Sequence, residues 1–285
     1  MLTVSDPIEM TAIRDRWRLD PETVGLVPTM GDLHEGHLSL MRASRERCDR
    51  TVATVFVNPT QFGEGEDFDR YPRNRERDEN LAQEVGVDLL FIPEAAAIYP
   101  DGFSTEVEVT GMSEVLCGDP RSRGPGHFKG VTTVVAKLLN LVDPDAAFFG
   151  QKDAQQAALI RQMVRDLGFR TEVVVLPTVR EEDGLAMSSR NRYLTPEGRT
   201  RALSLNRALE AARAAYPVTD LDRALMRGRE VLASEGIEPE YLEARLSGNL
   251  EPAGPDPGEP FFIAVAAEID GTRLIDNVEI DPGGN

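Results

Sequence analysis

Cysteine is scarce in this 285-residue chain, which has only Cys48 and Cys117. Two thiols are too few for a disulfide framework and lack the spacing of a metal cluster, so two reduced thiols are expected. Also missing is any apolar run near the roughly 20 residues that a membrane span requires. The opening residues 1–7 have neither the basic nor the apolar region of a signal peptide, and a cytoplasmic location is therefore expected. Basic residues are outnumbered by acidic ones, 31 against 49, for a net charge of −18. That balance opposes general attraction to DNA, RNA or anionic lipid, so neither nucleic acid nor a membrane is an expected partner. If the substrates are anions, positive potential must be built locally from His, Lys, Arg and helix N-termini. Internal repeats and coiled-coil heptads are absent, and low-complexity sequence is confined to the Pro/Gly/Glu loop at 251–260.

What is present is enough chain to bury a sizeable core, with 41% apolar residues. Apolar β-branched runs at 24–29, 51–57, 88–93, 146–149 and 171–176 read as strands, and 105–109 alternates as a half-exposed strand does. Between them, 37–47, 74–85, 130–141 and 153–167 read as helices. Strands alternating with helices predict a doubly wound α/β domain with a parallel sheet over residues 1–179. The texture then changes: 196–215 and 221–234 read as helices, and 241–246, 261–267 and 272–279 as strands. A smaller α+β domain is expected over 180–285.

Three polar segments each follow a predicted strand. In Pro28-Thr29-Met30-Gly31-Asp32-Leu33-His34-Glu35-Gly36-His37, two histidines three apart stand where a strand gives way to a helix. Such a helix end offers unpaired N–H groups and partial positive charge, so the two imidazoles there can grip an anion such as a nucleotide phosphate. Zinc is the rival reading, but the zincin pattern places its histidines four apart, and no third ligand is evident. In Phe149-Gly150-Gln151-Lys152-Asp153, Lys152 can neutralise phosphate and Asp153 can accept from ribose hydroxyls, although alone the pair reads as a solvated turn. Gly184-Leu185-Ala186-Met187-Ser188-Ser189-Arg190 supplies hydroxyls and a guanidinium suited to pyrophosphate oxygens. Open α/β sheets bind ligands beyond the carboxyl ends of their strands, which is where all three segments fall. Gln61 and Gln156 can add neutral amides for a hydroxylated acid.

Residues 26–31 with His34-Glu35-Gly36-His37 resemble the phosphate-binding signature of the pantothenate synthetase (pantoate–β-alanine ligase) family, within the nucleotidylyltransferase superfamily. Phe56-Val57-Asn58-Pro59-Thr60-Gln61-Phe62, Asp69-Arg70-Tyr71-Pro72-Arg73, Gly126-His127-Phe128-Lys129-Gly130-Val131 and the Lys152 and Ser188 segments match in order and approximate spacing. The resemblance is strong over 24–195 and looser beyond. It departs at Arg123-Gly124-Pro125, where the family more often sets Arg directly before Pro.

The resemblance implies a Rossmann-like fold and an ATP-consuming ligase joining pantoate to β-alanine through a pantoyl-adenylate. ATP would lie along Met30, Gly31, Asp32, Leu33, His34, Glu35, Gly36 and His37, with Gly150, Gln151, Lys152, Asp153, Val179, Met187, Ser188, Ser189 and Arg190. Pantoate would be held by Gln61 and Gln156, and β-alanine near Gln61. Mg²⁺ would bridge the phosphates, with no protein metal site and no tightly bound prosthetic group. His34, His37, Lys152, Ser188, Ser189 and Arg190 would stabilise charge at the α-phosphorus, with His37 protonating or hydrogen-bonding the departing phosphate. Residues 180–285 or the 63–69 loop would act as a lid, and the chain would be a homodimer. The alternatives are a nucleotidylyltransferase that keeps the nucleotide on its product and a non-catalytic nucleotide-binding module. A tRNA-charging enzyme is disfavoured by the charge of −18.

Overall fold

The computed structural model describes residues 1–216 and 218–283. In chain order the elements are β1 (Leu2–Val4), α1 (Pro7–Trp17), β2 (Val24–Thr29), α2 (Glu35–Arg47), β3 (Arg50–Val55), α3 (Arg75–Glu84), β4 (Leu89–Phe91), α4 (Ala95–Ile98), α5 (Pro125–Val142), β5 (Ala146–Gly150), α6 (Ala154–Asp166) and β6 (Glu172–Leu176). These are followed by α7 (Pro196–Ala215), α8 (Leu221–Ser234), β7 (Tyr241–Leu246), β8 (Phe261–Ile269) and β9 (Thr272–Ile280). The chain divides into two compact units. The first takes Met1–Glu114, Gly118–Gly150 and Leu159–Leu176; the second takes Val115–Cys117, Gln151–Ala158 and the chain from Pro177 onward. Among the described residues no helix is long and apolar enough to cross a membrane.

In the first unit, six strands form a parallel sheet in the order β1-β4-β3-β2-β5-β6. The chain runs outward from β2 through β3 to β4, then returns past β2 to β5 and continues to β6. Parallel crossovers are right-handed, so reversing direction places α2 and α5 on opposite faces. Both faces of the central strands are thus covered, which is why 24–29 and 51–54 are buried almost throughout rather than alternating. On one face Leu38, Leu40 and Met41 of α2 pack with Val27, Ala53, Leu90 and Phe148. The strand order reverses between β2 and β5, and a crevice beyond their carboxyl ends is the usual ligand site of such sheets.

The predicted strand at 105–109 is not one. Its alternation is real, since Val107 and Val109 are half-buried between exposed neighbours. Its backbone, however, bonds to side chains of α5 instead of to a strand: the Val107 N–H donates to Thr133 Oγ1 (2.9 Å) and its carbonyl accepts from Thr132 Oγ1 (2.5 Å). Helix α5 also begins five residues before the expected Gly130, because Pro125 occupies its first turn, where a missing N–H costs nothing.

The second unit carries an antiparallel sheet, β7-β8-β9, with helices α7 and α8. Its core joins Leu205 and Leu209 of α7 and Leu221 and Leu232 of α8 with Leu242, Ile263, Val265 and Leu274 of the sheet. The observed architecture is therefore a Rossmann-like α/β domain plus a smaller α+β one.

Candidate active site

At the carboxyl end of β2 the chain turns through Gly31 (φ +85°) and Asp32 (φ +49°) before entering α2. This turn is anchored from below. The buried Asp78 carboxylate of α3 accepts the N–H of Asp32 (2.9 Å) and of Leu33 (2.7 Å), and Gly31 N–H donates to Thr29 Oγ1 (3.1 Å). Burial pushes the Asp78 carboxyl above its ordinary pKa, against the lowering effect of the two backbone N–H bonds. Leu33 is fully buried in the core under the turn. Glu35 is exposed and paired with Arg42, whose hydrogen bond lowers the Glu35 pKa.

His34 caps α2: its Nδ1 accepts from Gly36 N–H (3.2 Å), while Nδ1 of His37 accepts from His34 N–H (3.4 Å). The rings lie 4.1 Å apart, tilted by 33°. Because both Nδ1 atoms accept, each neutral imidazole carries its proton on Nε2, which makes Nε2–H the donor of each ring. Two such donors at a helix N-terminus form a site for developing negative charge.

Gln61 ends a 3₁₀ turn, Pro59–Gln61, beyond the carboxyl end of β3. Asn58, buried, organises it. Its Nδ2 donates to Gln61 Oε1 (3.1 Å) and to the Gly130 carbonyl (3.0 Å). Its Oδ1 accepts from Tyr99 (2.8 Å) and from Thr60 Oγ1 (2.9 Å). Gln61 Nε2 donates to Met30 Sδ (3.0 Å), which joins the glutamine to the histidine turn. A Cβ at Gly130 would meet the Thr60 carbonyl, so only glycine lets α5 approach this turn. Gly150, half-buried, closes β5.

The remaining predicted residues belong to the second unit. Lys152 lies in the turn Gln151–Asp153, its Nζ 3.8 Å from Asp153 Oδ2. Asn277 of β9 braces that turn, donating through Nδ2 to the carbonyls of Gln151 (2.8 Å) and Lys152 (2.9 Å). Its neighbour Asp276 holds Arg180 through both guanidinium Nη atoms (2.6 and 3.1 Å). Arg180 and Ala186 form an antiparallel bridge, and Met187 N–H donates to the Val179 carbonyl (3.0 Å). Val179 and Met187, eight residues apart, are thus neighbours. Ser188 caps the next turn by accepting Arg190 N–H (3.2 Å), and Ser189 is buried within it. In α6, Gln155 is buried and spends its amide on Cys117 N–H (3.1 Å) and the Val115 carbonyl (2.6 Å), while Gln156 is half-buried.

Asp78, Tyr99, Asn277 and Asp276 stand outside the sequence motifs, and Asn58 is marked only by the motif that holds it. The first four carry no local signal, because each acts on a segment distant in the chain.

Fold and site together define a class: Rossmann-like α/β proteins that present a capped, histidine-bearing helix N-terminus at the reversal point of the sheet. A family model described as pantoate-beta-alanine ligase matches residues 2–279. A pantothenate synthetase of Dinoroseobacter shibae is 52% identical over 280 residues, 96% of this chain and 98% of that protein. The crystal structure of pantothenate synthetase from Thermus thermophilus is similar with a TM-score of 0.92 and 48% identity, over 99% of this chain and 100% of that one. That of a pantoate-beta-alanine ligase from Francisella tularensis, complexed with beta-gamma ATP and beta-alanine, gives 0.81 and 33%, over 98% and 97%. The chain belongs to the pantoate–β-alanine ligase family, and so is a ligase.

Proposed function

We propose that this chain condenses pantoate with β-alanine at the expense of ATP, through a pantoyl-adenylate, releasing AMP and pyrophosphate. The observation that carries the reading is the histidine pair, whose Nε2–H donors stand at the positive end of α2. The beta-gamma ATP and beta-alanine of the Francisella tularensis complex support the substrate assignment.

In the first step a pantoate carboxylate oxygen attacks the α-phosphorus, the α–β P–O bond breaks, and pyrophosphate leaves. Mg²⁺ enters with the ATP phosphates as part of the substrate. His34 and His37 donate to the phosphate oxygens, with His37 protonating or hydrogen-bonding the leaving group. Lys152, Ser188, Ser189 and Arg190 counter the charge that builds on the equatorial oxygens. ATP is further held along Met30 to Glu35, Gly36, Gly150, Gln151, Asp153, Val179 and Met187. Gln61 and Gln156 hold pantoate. In the second step the β-alanine amine, near Gln61, attacks the acyl carbon; a C–N bond forms, AMP leaves with the anhydride oxygen, and the amine gives up a proton. Residues 180–285 or the 63–69 loop serve as a lid that keeps water from the anhydride. The enzyme acts in the cytoplasm as a homodimer, which sedimentation of the purified protein tests.

The direct experiment is exchange of labelled pyrophosphate into ATP with β-alanine omitted. Pantoate-dependent exchange is expected, and its absence would remove the adenylate step. Lys152→Ala and His37→Ala are each expected to slow exchange by about a hundredfold or more with the fold retained; near-normal rates would strike that residue from the mechanism.

A further inference from the structure

We propose that His127 is a positioning residue for the substrate acid, gripping the main chain of Gln61 in one enforced tautomer; this rests on the reading that Gln61 binds pantoate. His127 lies in the first turn of α5, with Nδ1 2.7 Å from the Gln61 carbonyl oxygen. A carbonyl only accepts, so the proton sits on Nδ1 and Nε2 is left as an acceptor. Arg123 meets that nitrogen, its Nη1 3.2 Å from Nε2. A guanidinium only donates, so Arg123 enforces the tautomer that Gln61 requires.

Arg123 is itself held. It pairs with Glu66 of the 63–69 loop, Nε donating to Oε1 at 3.1 Å, and its guanidinium lies 5.9 Å over the Phe62 ring. Residue 123 precedes His127 by four, and Gly124, at φ +80°, makes the turn between Arg123 and Pro125. The glycine that separates Arg123 from Pro125 is therefore part of this arrangement. A chain of bonds runs from Glu66 through Arg123 and His127 to the Gln61 carbonyl, while Asn58 holds the carboxamide of the same residue. The glutamine is thus fixed at both ends, and the orientation of its amide follows from both grips.

The test compares wild type, His127→Asn and His127→Gln in pyrophosphate exchange, with KM read for pantoate and for ATP. Asparagine sets its amide nitrogen where Nδ1 lies and can donate to the Gln61 carbonyl, whereas glutamine mimics the Nε2 position. His127→Gln is expected to raise pantoate KM about tenfold or more with ATP KM unchanged, and His127→Asn to stay within about threefold of wild type. Equal behaviour of the two variants, or a parallel rise in ATP KM, overturns the proposal. If wild type shows no pantoate-dependent exchange, the reading of Gln61 fails and takes this proposal with it; normal wild-type exchange with an unaffected His127→Gln sinks the proposal alone. Should His127→Gln fail to fold, Arg123→Gln is read instead: a selective rise in pantoate KM supports the relay, and no rise overturns it.

Discussion

Asp78 holds the histidine turn by accepting two of its backbone N–H groups. Asp78→Ala strands two buried donors at about 1–3 kcal/mol each, so a loss of about 2–6 kcal/mol is expected in denaturant unfolding. Tyr99 makes a pH-dependent contribution. Its hydroxyl donates to Asn58, and burial raises the phenol above its ordinary pKa. With the folded-state value above the unfolded one, the stabilisation is complete below about pH 10 and is lost as pH rises through the raised value. Tyr99→Phe should therefore cost about 1 kcal/mol at neutral pH and remove part of the alkaline fall in unfolding free energy. A fall of the same steepness in both proteins would contradict this. At this scale the candidate side chains of the site were legible, because the histidines, Lys152 and Ser188 stand in segments that follow strands. Their supports were not: Asp78 lies 46 residues from Asp32, and Asn277 lies 125 from Lys152.

Among the elements, the turn between β2 and α2 depends on backbone that only glycine adopts without strain. Gly31 has φ +85°, and a Cβ there would stand 2.8 Å from Val55 Cγ1 and 2.9 Å from Asp78 Oδ2. Gly31→Ala is expected to destabilise by about 1–3 kcal/mol and to displace the histidine pair, lowering exchange activity more than stability. An unchanged exchange rate would show that the turn does not position His34 and His37. The segment at 105–109 illustrates the limit of periodicity. Alternation reports which side chains are buried, and a segment bonded to side chains of helix α5 produces the same pattern as a strand in a sheet. Pairing partners are a tertiary fact. The β1 element went unread for a related reason: it is three residues long, too short to display a period.

For the molecule as a whole, a net charge of −18 places like charges within a Debye length of one another over much of the surface. Salt should relieve that repulsion. Raising ionic strength from about 0.02 M to about 0.5 M is expected to raise the thermal midpoint by about 2–4 °C, the shift that a gain of about 1 kcal/mol gives a chain of this size. A fall in midpoint would indicate that the surface ion pairs outweigh the excess charge. In the second unit, the ion pair of Arg180 with buried Asp276 is little exposed to screening, and Asp276→Ala should cost about 3–5 kcal/mol in low and high salt alike.

The amino-acid sequence by itself determined the class of fold and supplied the candidate residues for the site. Hydrophobic runs set the alternation of strands and helices, and the candidate glycines, histidines, lysine and serines stand in segments that follow predicted strands. These are local properties, written within a few residues of each other. Only the tertiary structure decided which strand neighbours which, that Val179 and Met187 are joined through their backbones, and that Gln61 is gripped by Asn58 at one end and His127 at the other. The physical reason is that a hydrogen bond depends on a distance of about 3 Å and an angle, and residues far apart in the chain acquire both only when the core has packed.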